Sequence, residues 1–289
     1  MRYTSIADLL SRSTPAHATE PLCIIMAEDD TALAETVTHH LNAGFRDVVL
    51  LGPDGVSLPD DLESLVHVVT HNVFAEAALP TAVNAFIDAC AGRWIYYCYN
   101  AEFLFHPFCE SRSVREMLAF HSEERRDAML TYVVDLYASN LDRHPNAVAL
   151  DDAHLDRSGY FALARKDAAK NWEPKDRQLD FFGGLRWRFE EHIPWPRRKI
   201  DRISLFRARK GLRLAPDFTL NDEEMNTYAC PWHNNLTAAV CSFRTAKVLR
   251  TNPGSRDVIP TFHWHNSVPF TWHSQQLLDL GLMEPGQWF

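Results

Sequence analysis

No G-x-G-x-x-G follows the first apolar run of this sequence, and no G-x-x-x-x-G-K-[ST] occurs anywhere. Their absence excludes the glycine-rich phosphate cradles of dinucleotide-binding and P-loop proteins. There is also no H-E-x-x-H to hold a metal on one helix face. The six cysteines (Cys23, Cys90, Cys98, Cys109, Cys230, Cys241) never fall at C-x-x-C spacing. Three sit in or beside apolar runs, as buried thiols do, so a reducing, cytoplasmic setting is expected. No run approaches the roughly 18–20 apolar residues of a membrane helix. The N-terminus carries Arg2 without a continuous apolar h-region, so no signal peptide is expected. Positive charge is in deficit, with 29 Lys and Arg against 38 Asp and Glu, a net −9. That balance argues against a general nucleic-acid binder.

What is present suits one sizeable core: 289 residues, 46% of them hydrophobic, with no repeat, low-complexity tract or Gly/Ser linker marking a second domain. The most informative stretch is Trp94–Phe108, which opens as Trp94, Ile95, Tyr96, Tyr97, Cys98 between Gly92 and Pro107. Aromatic and β-branched residues in a short continuous run predict a strand buried on both faces. Asn100 and Glu102 follow at its far end. In an open α/β sheet, ligands bind outside the carboxyl ends of the strands, which gives these two residues a functional address. The competing reading of Glu102 is a solvated loop acid.

In chain order, residues 1–20 read as an extension holding one short amphipathic piece, Ile6–Leu10. Pro21–Met26 is the first strand, running into Ala27-Glu28-Asp29-Asp30. Asp30 is expected to cap a helix from Thr31 to about Asn42, which Gly44 ends in the left-handed conformation. Val48–Leu51 is the second strand, closed by the turn Gly52-Pro53-Asp54-Gly55. Strand, helix and strand in so short a span predict a parallel pair with a right-handed crossover. The pattern repeats with Leu65–Thr70 as a strand and Pro80–Cys90 as a helix. Ser113–His121 reads as helical and Ala128–Tyr137 as a strand holding Asp135 near its end. The polar region of residues 138–175, with Asp151, Asp152 and Asp156, reads as loops and short elements.

In Gly183-Gly184-Leu185-Arg186-Trp187-Arg188-Phe189, strict alternation sets Leu185, Trp187 and Phe189 against Arg186 and Arg188. As a strand the segment would place Arg186 and Arg188 on one face beside a glycine pair, either gripping a diphosphate or carboxylate, or as a solvated face. Eight cations lie within residues 197–213, a concentration that would meet an anionic donor or membrane surface, or again be a solvated face. His263 and His265, two apart around Trp264, would point the same way on a strand and hold a metal, or simply pack.

These stretches together resemble the family-two-type glycosyltransferase-like proteins of bacteria, which have the glycosyltransferase A fold. That family has a K-N-E-like turn after its first strand, and Met26-Ala27-Glu28 is similar. Glu35-Thr36-Val37-Thr38-His39-His40 is similar to its E-W-x-x-(Y/H)-H helix, and Tyr99-Asn100-Ala101-Glu102-Phe103-Leu104 to its D-x-D-E-F-L. Val133–Tyr137, Gly183–Phe189, Lys199–Arg207 and Trp232-His233 are similar to further family segments. The resemblance covers about residues 20–250. It implies an α/β, single-domain glycosyltransferase A-like fold over residues 21–289, with a mixed, mainly parallel sheet flanked by helices. It also implies a sugar transfer from a nucleotide-diphosphate donor to a glycan or other hydroxyl acceptor.

The departure falls on the metal. In the family the two aspartates hold a divalent cation on the donor diphosphate, and here Tyr99 and Ala101 stand at those positions. Glu102 remains, and His233 matches the family's late histidine as a metal ligand for manganese or magnesium. A carboxylate and an imidazole make a poor site for a hard cation. Glu28, Asn100, Arg186 and Arg188 are the expected donor-binding residues. Glu102, Glu190 and Glu191 are the candidate catalytic carboxylates, and the 197–213 segment the candidate for peripheral membrane contact. The alternative is a non-catalytic, degenerate transferase domain binding a nucleotide, a glycan or a protein.

Overall fold

The structure is a computed structural model that describes residues 1–12 and 20–288. The chain alternates between two compact units. The first comprises Met1–Leu104, Ser111–Met129 and Ile203–Asn226, the second Phe105–Glu110, Leu130–Arg202 and Thr227–Phe289.

The first unit is built on a mainly parallel sheet. Its strands lie in the order Arg2–Tyr3, His67–Thr70, Asp47–Gly52, Leu22–Met26, Trp94–Tyr99 and Asp201–Arg207. Four pairings are parallel, and Asp201–Arg207 runs antiparallel to Trp94–Tyr99. The predicted parallel neighbours are present: Cys23 lies opposite Val48 and Met26 opposite Leu51. Every residue of Leu22–Met26 is buried, as continuous apolar runs require of a strand covered on both faces. The helices between these strands are Leu33–Asn42, Asp60–Glu63 and Ala78–Ala89. Leu33–Asn42 buries Leu33, Thr36, Val37 and His40 at helical spacing.

Two local expectations need correction. Asp30 does not cap the first of these helices: the cap position is Ala32, in the left-handed conformation with no side-chain bond, while Asp29 Oδ1 accepts from Thr31 N at 3.0 Å. The loop is tied further down, by Asn100, which leaves the helix to start two residues late. The beginning of the chain also adds to the sheet, since Arg2 and Tyr3 pair with Val68 and Val69. Gly44, at φ 104°, does end the helix as expected. Ser113 caps Val114–Glu123 with a full capping box to Glu116.

The strand Ala128–Asp135, in the second unit from Leu130 onward, pairs in parallel with Ala238–Ser242, placing Asp135 opposite Ser242. Residues 138–175 are more regular than their polarity suggests. Ala153–Asp156 is the middle strand of a three-stranded antiparallel sheet, and Phe161–Asp167 forms a hairpin with Glu173–Phe182. The hairpin leaves no trace in the sequence pattern because Phe161, Ala162, Leu163 and Ala164 are all exposed, so no alternation marks a buried face. No helix among the described residues is long and apolar enough to cross a membrane.

Candidate functional site

In the first unit the chain passes from Leu22–Met26 outward to Asp47–Gly52 and His67–Thr70. It then returns to lay Trp94–Tyr99 on the other side of Leu22–Met26. The carboxyl ends of these two neighbours therefore form a topological switch point, the place at which open parallel sheets receive ligands. Asn100, just past Trp94–Tyr99, is fully buried there and holds the loop that follows Leu22–Met26. Its backbone N–H donates to Met26 O at 3.0 Å, and its Oδ1 accepts from Glu28 N at 2.9 Å. Its Nδ2 donates to Asp29 Oδ1 at 2.8 Å and to Thr31 O at 3.0 Å. Glu28, in that loop, is half-buried and Asp29 exposed.

Glu102 is withdrawn from solvent. The side chain is 0% exposed, and Oε2 accepts from Tyr99 N at 2.9 Å across a tight turn whose Ala101 has φ 58°. Ala101 N in turn donates to Thr36 Oγ1 at 2.9 Å. This is neither a solvated loop acid nor an open ligand; it is a carboxylate spent on closing its own turn. The metal that the family resemblance implies finds no donor set here. Tyr99 and Ala101 offer no carboxylate, Glu102 is committed to backbone, and the described residues contain no group of three His, Cys, Asp or Glu able to hold an ion.

In the second unit, Gly184–Arg188 is a short helix and not the strand that its alternation predicts. Asp135, at a strand end, accepts from the helix amide of Arg186 at 3.3 Å through Oδ2, which stabilises the helical turn. Arg186 Nη1 donates to Lys199 O at 2.7 Å and Nε to Thr245 Oγ1 at 3.1 Å, with Asp135 Oδ1 at 3.6 Å. Arg188 Nη1 donates to Asp156 at 3.1 Å and Nη2 to Phe262 O at 2.7 Å, and its guanidinium lies 4.4 Å over the Trp264 ring. Asp156 also accepts from Tyr137 at 2.5 Å and Trp264 Nε1 at 2.7 Å. The two arginines thus serve separate buried acids rather than one shared face. Burial pushes the Asp135 carboxyl above its ordinary value, against the pull of Arg186. Asp135 Oδ1 and the Tyr160 hydroxyl, both buried, have no hydrogen-bond partner.

The remaining candidates lie at the surface of their units. Glu190 accepts from Arg198 at 2.9 Å, and Glu191 is exposed with His192 at 3.7 Å. His233 occupies a turn in which its carbonyl accepts from Cys230 N at 2.9 Å. His263 and His265 are on irregular backbone, not a strand; His263 faces the His154 ring and His265 the Trp264 ring. The basic 197–213 segment is largely neutralised where it stands. Arg198 pairs with Glu190, Lys199 with Asp180, Arg209 with Asp222 and Arg213 with Asp88. These four cations therefore already have carboxylate partners within the chain.

One feature has no sequence signal. Phe161, Phe182, Trp187 and Trp195 line a pocket of about 130 Å³ with Glu190 and Arg198 beside them. These residues are separated by 34 positions of sequence from first to last, and no periodicity links them.

No family model and no curated protein matches the chain. Among solved structures, UDP-glucose pyrophosphorylase from Acinetobacter baumanii aligns with a TM-score of 0.36 at 10% identity, covering 83% of this chain and 96% of that one.

Proposed function

We propose that this protein binds a nucleotide-diphosphate sugar and transfers the sugar to a hydroxyl acceptor, as a glycosyltransferase-like enzyme that does not depend on a bound divalent cation. The observation that carries this reading is the switch point between Leu22–Met26 and Trp94–Tyr99, with Asn100 at the end of the second strand bonded to the loop that follows the first. Such a point is where open parallel sheets place a ligand. The Glu28 and Asp29 carboxylates in that loop suit the hydroxyls of a ribose, which donate hydrogen bonds to acid oxygens. The resemblance of the Met26–Glu28 and Tyr99–Leu104 segments to a nucleotide-sugar family supports the same ligand class.

A second reading, a nucleotide-binding module without catalysis, is favoured by one specific observation. Glu102 is sealed in its turn, and Arg186 and Arg188 already serve Asp135 and Asp156. A departing diphosphate needs preorganised positive charge, and these cations are occupied.

Calorimetric titration of UDP, GDP, dTDP and CMP into the full chain, followed by a nucleotide-release assay with the corresponding sugar donors, decides between them. Binding at micromolar concentration, weakened in Asn100→Ala and Glu28→Ala and accompanied by release, supports the transferase. Binding without release to water or any hydroxyl acceptor supports the module. No binding of any nucleotide overturns both.

A further inference from the structure

Four aromatic rings in the second unit form an array, with Phe182 buried and Phe161, Trp187 and Trp195 exposed to solvent. Phe161 and Phe182 face each other across the hairpin, with centroids 5.3 Å apart and planes 18° from parallel. Trp195, on the 3-10 turn Trp195–Arg197, continues the row against Phe182 at 5.7 Å and 29°. Trp187, on the Gly184–Arg188 helix, stands edge-on to Phe161 at 6.3 Å. Large apolar side chains are normally withdrawn from water. Here Trp195 is 63% exposed, while Trp187 and Phe161 are each 43% exposed.

The array is built into the fold. A Cβ on Gly159 would lie 3.2 Å from the Trp187 ring, and one on Gly183 would fall 2.2 Å from the Tyr160 ring. Gly159 leaves the space that Trp187 takes, and Gly183 the space of Tyr160 beside Phe161. At the edge, Arg198 lies 5.6 Å over Trp195 and is bonded to Glu190 at 2.9 Å, so an ordered donor–acceptor pair borders the apolar floor.

From this geometry we infer that the Phe161–Phe182–Trp187–Trp195 pocket is a carbohydrate site that holds one neutral pyranose ring of a glycan acceptor. A pyranose presents C–H bonds on one face and hydroxyls around its equator. The exposed parts of the Phe161, Trp187 and Trp195 rings receive the first, and a carboxylate with a guanidinium at the rim receives the second. The volume of about 130 Å³ suits a single ring. An amphipathic helix would need several anchors along a groove, and a bilayer surface would be opposed by the Glu190 carboxylate at the rim. The assignment names the acceptor class of the transferase reading and rests on that reading for the word acceptor. Sugar binding itself needs no transfer.

Saturation-transfer NMR on the full chain, with methyl glucopyranosides, methyl galactopyranosides and N,N′-diacetylchitobiose as probes, tests it. We expect at least one saccharide to be saturated on the C–H protons of one ring face. Its affinity should fall about tenfold or more in both Trp195→Ala and Trp187→Ala, with folding verified by circular dichroism. Trp172→Ala, which removes an exposed tryptophan at the hairpin turn, should leave binding unchanged. Saturation of no saccharide at millimolar concentration, or an equal loss in all three variants, overturns the inference. So does binding of neutral phosphatidylcholine vesicles that requires Trp195 while the saccharides fail. Nucleotide titrations on the unmodified chain separate this failure from the other: no saccharide binding with nucleotide binding intact counts against the pocket, and saccharide binding without nucleotide binding counts against the nucleotide crevice.

Discussion

A Cβ atom added to Gly184 would stand 2.9 Å from Asp135 Oδ2. The strand-end carboxylate and the first helical residue are therefore in contact only because one of them has no side chain. Gly184→Ala should cost about 1–3 kcal/mol through overpacking, with its positive φ of 61° adding to that. Gly211→Ala separates the two effects, because Gly211 shares the positive φ but a methyl group there would meet nothing within 4 Å. Urea unfolding of both variants is the measurement. Equal losses would mean that the Asp135 contact contributes nothing.

Arg188 and Arg209 each pair with an aspartate, yet their environments differ. The Arg188 and Asp156 side chains are 10% and 2% exposed, against 52% and 25% for Arg209 and Asp222. Removing one partner of a buried pair leaves an uncompensated charge and costs about 3–5 kcal/mol, whereas an exposed pair contributes about 0–1 kcal/mol. Arg188→Met should thus be destabilised far more than Arg209→Ala in the same denaturant series. Similar midpoints for the two variants would contradict the picture of a buried Arg188–Asp156 network.

His121 gives a pH dependence of definite sign. The ring is buried, its Nε2–H donates to Ala128 O at 2.8 Å, and burial first, with Arg126 adding to it, lowers its pKa from 6.5 to about 4. A histidine with a depressed folded pKa is protonated first in the unfolded chain. Its contribution is fully present above pH 6.5 and is lost as pH falls from there toward 4, on the order of 3 kcal/mol in total. Asp135 acts in the opposite sense: its raised folded pKa favours the native state as pH falls toward the ordinary carboxylate range. Comparing His121→Gln, which keeps a donor toward Ala128, with the unmodified chain isolates the histidine. An unchanged slope of stability between pH 6.5 and 4 in the variant would rule out the buried neutral ring.

Nucleotide affinity should change by less than about threefold between manganese and a chelator, since Tyr99 and Ala101 supply no carboxylate and Glu102 is bonded to Tyr99 N. Asn100→Ala removes three side-chain hydrogen bonds that hold the loop after Leu22–Met26 and should weaken nucleotide binding about tenfold or more. Strong metal dependence that disappears in Glu102→Ala would restore a metal-assisted donor site.

The parallel half of the fold is legible because its signals are local. Leu22–Met26 and Trp94–Tyr99 are continuous apolar runs, Gly44 ends the intervening helix, and Ser113 with Glu116 announces the next one. Burial on both faces leaves such strands few alternatives, so composition alone places Asn100 at a carboxyl end. Gly183–Phe189 shows where that reasoning stops. Five residues of perfect alternation from Leu185 to Phe189 fit a strand, yet the segment is helical, with Asp135, distant in sequence, accepting from the Arg186 amide. Arg186 and Arg188 then find Lys199, Thr245, Asp156 and Phe262, none of them predictable from neighbours in the chain. The same holds for the aromatic pocket. Residue order was enough to locate the buried strands, because a strand's burial depends on residues within a few positions of one another. Which charges are neutralised, and which rings stand together in water, rests instead on pairs that meet after the chain has folded.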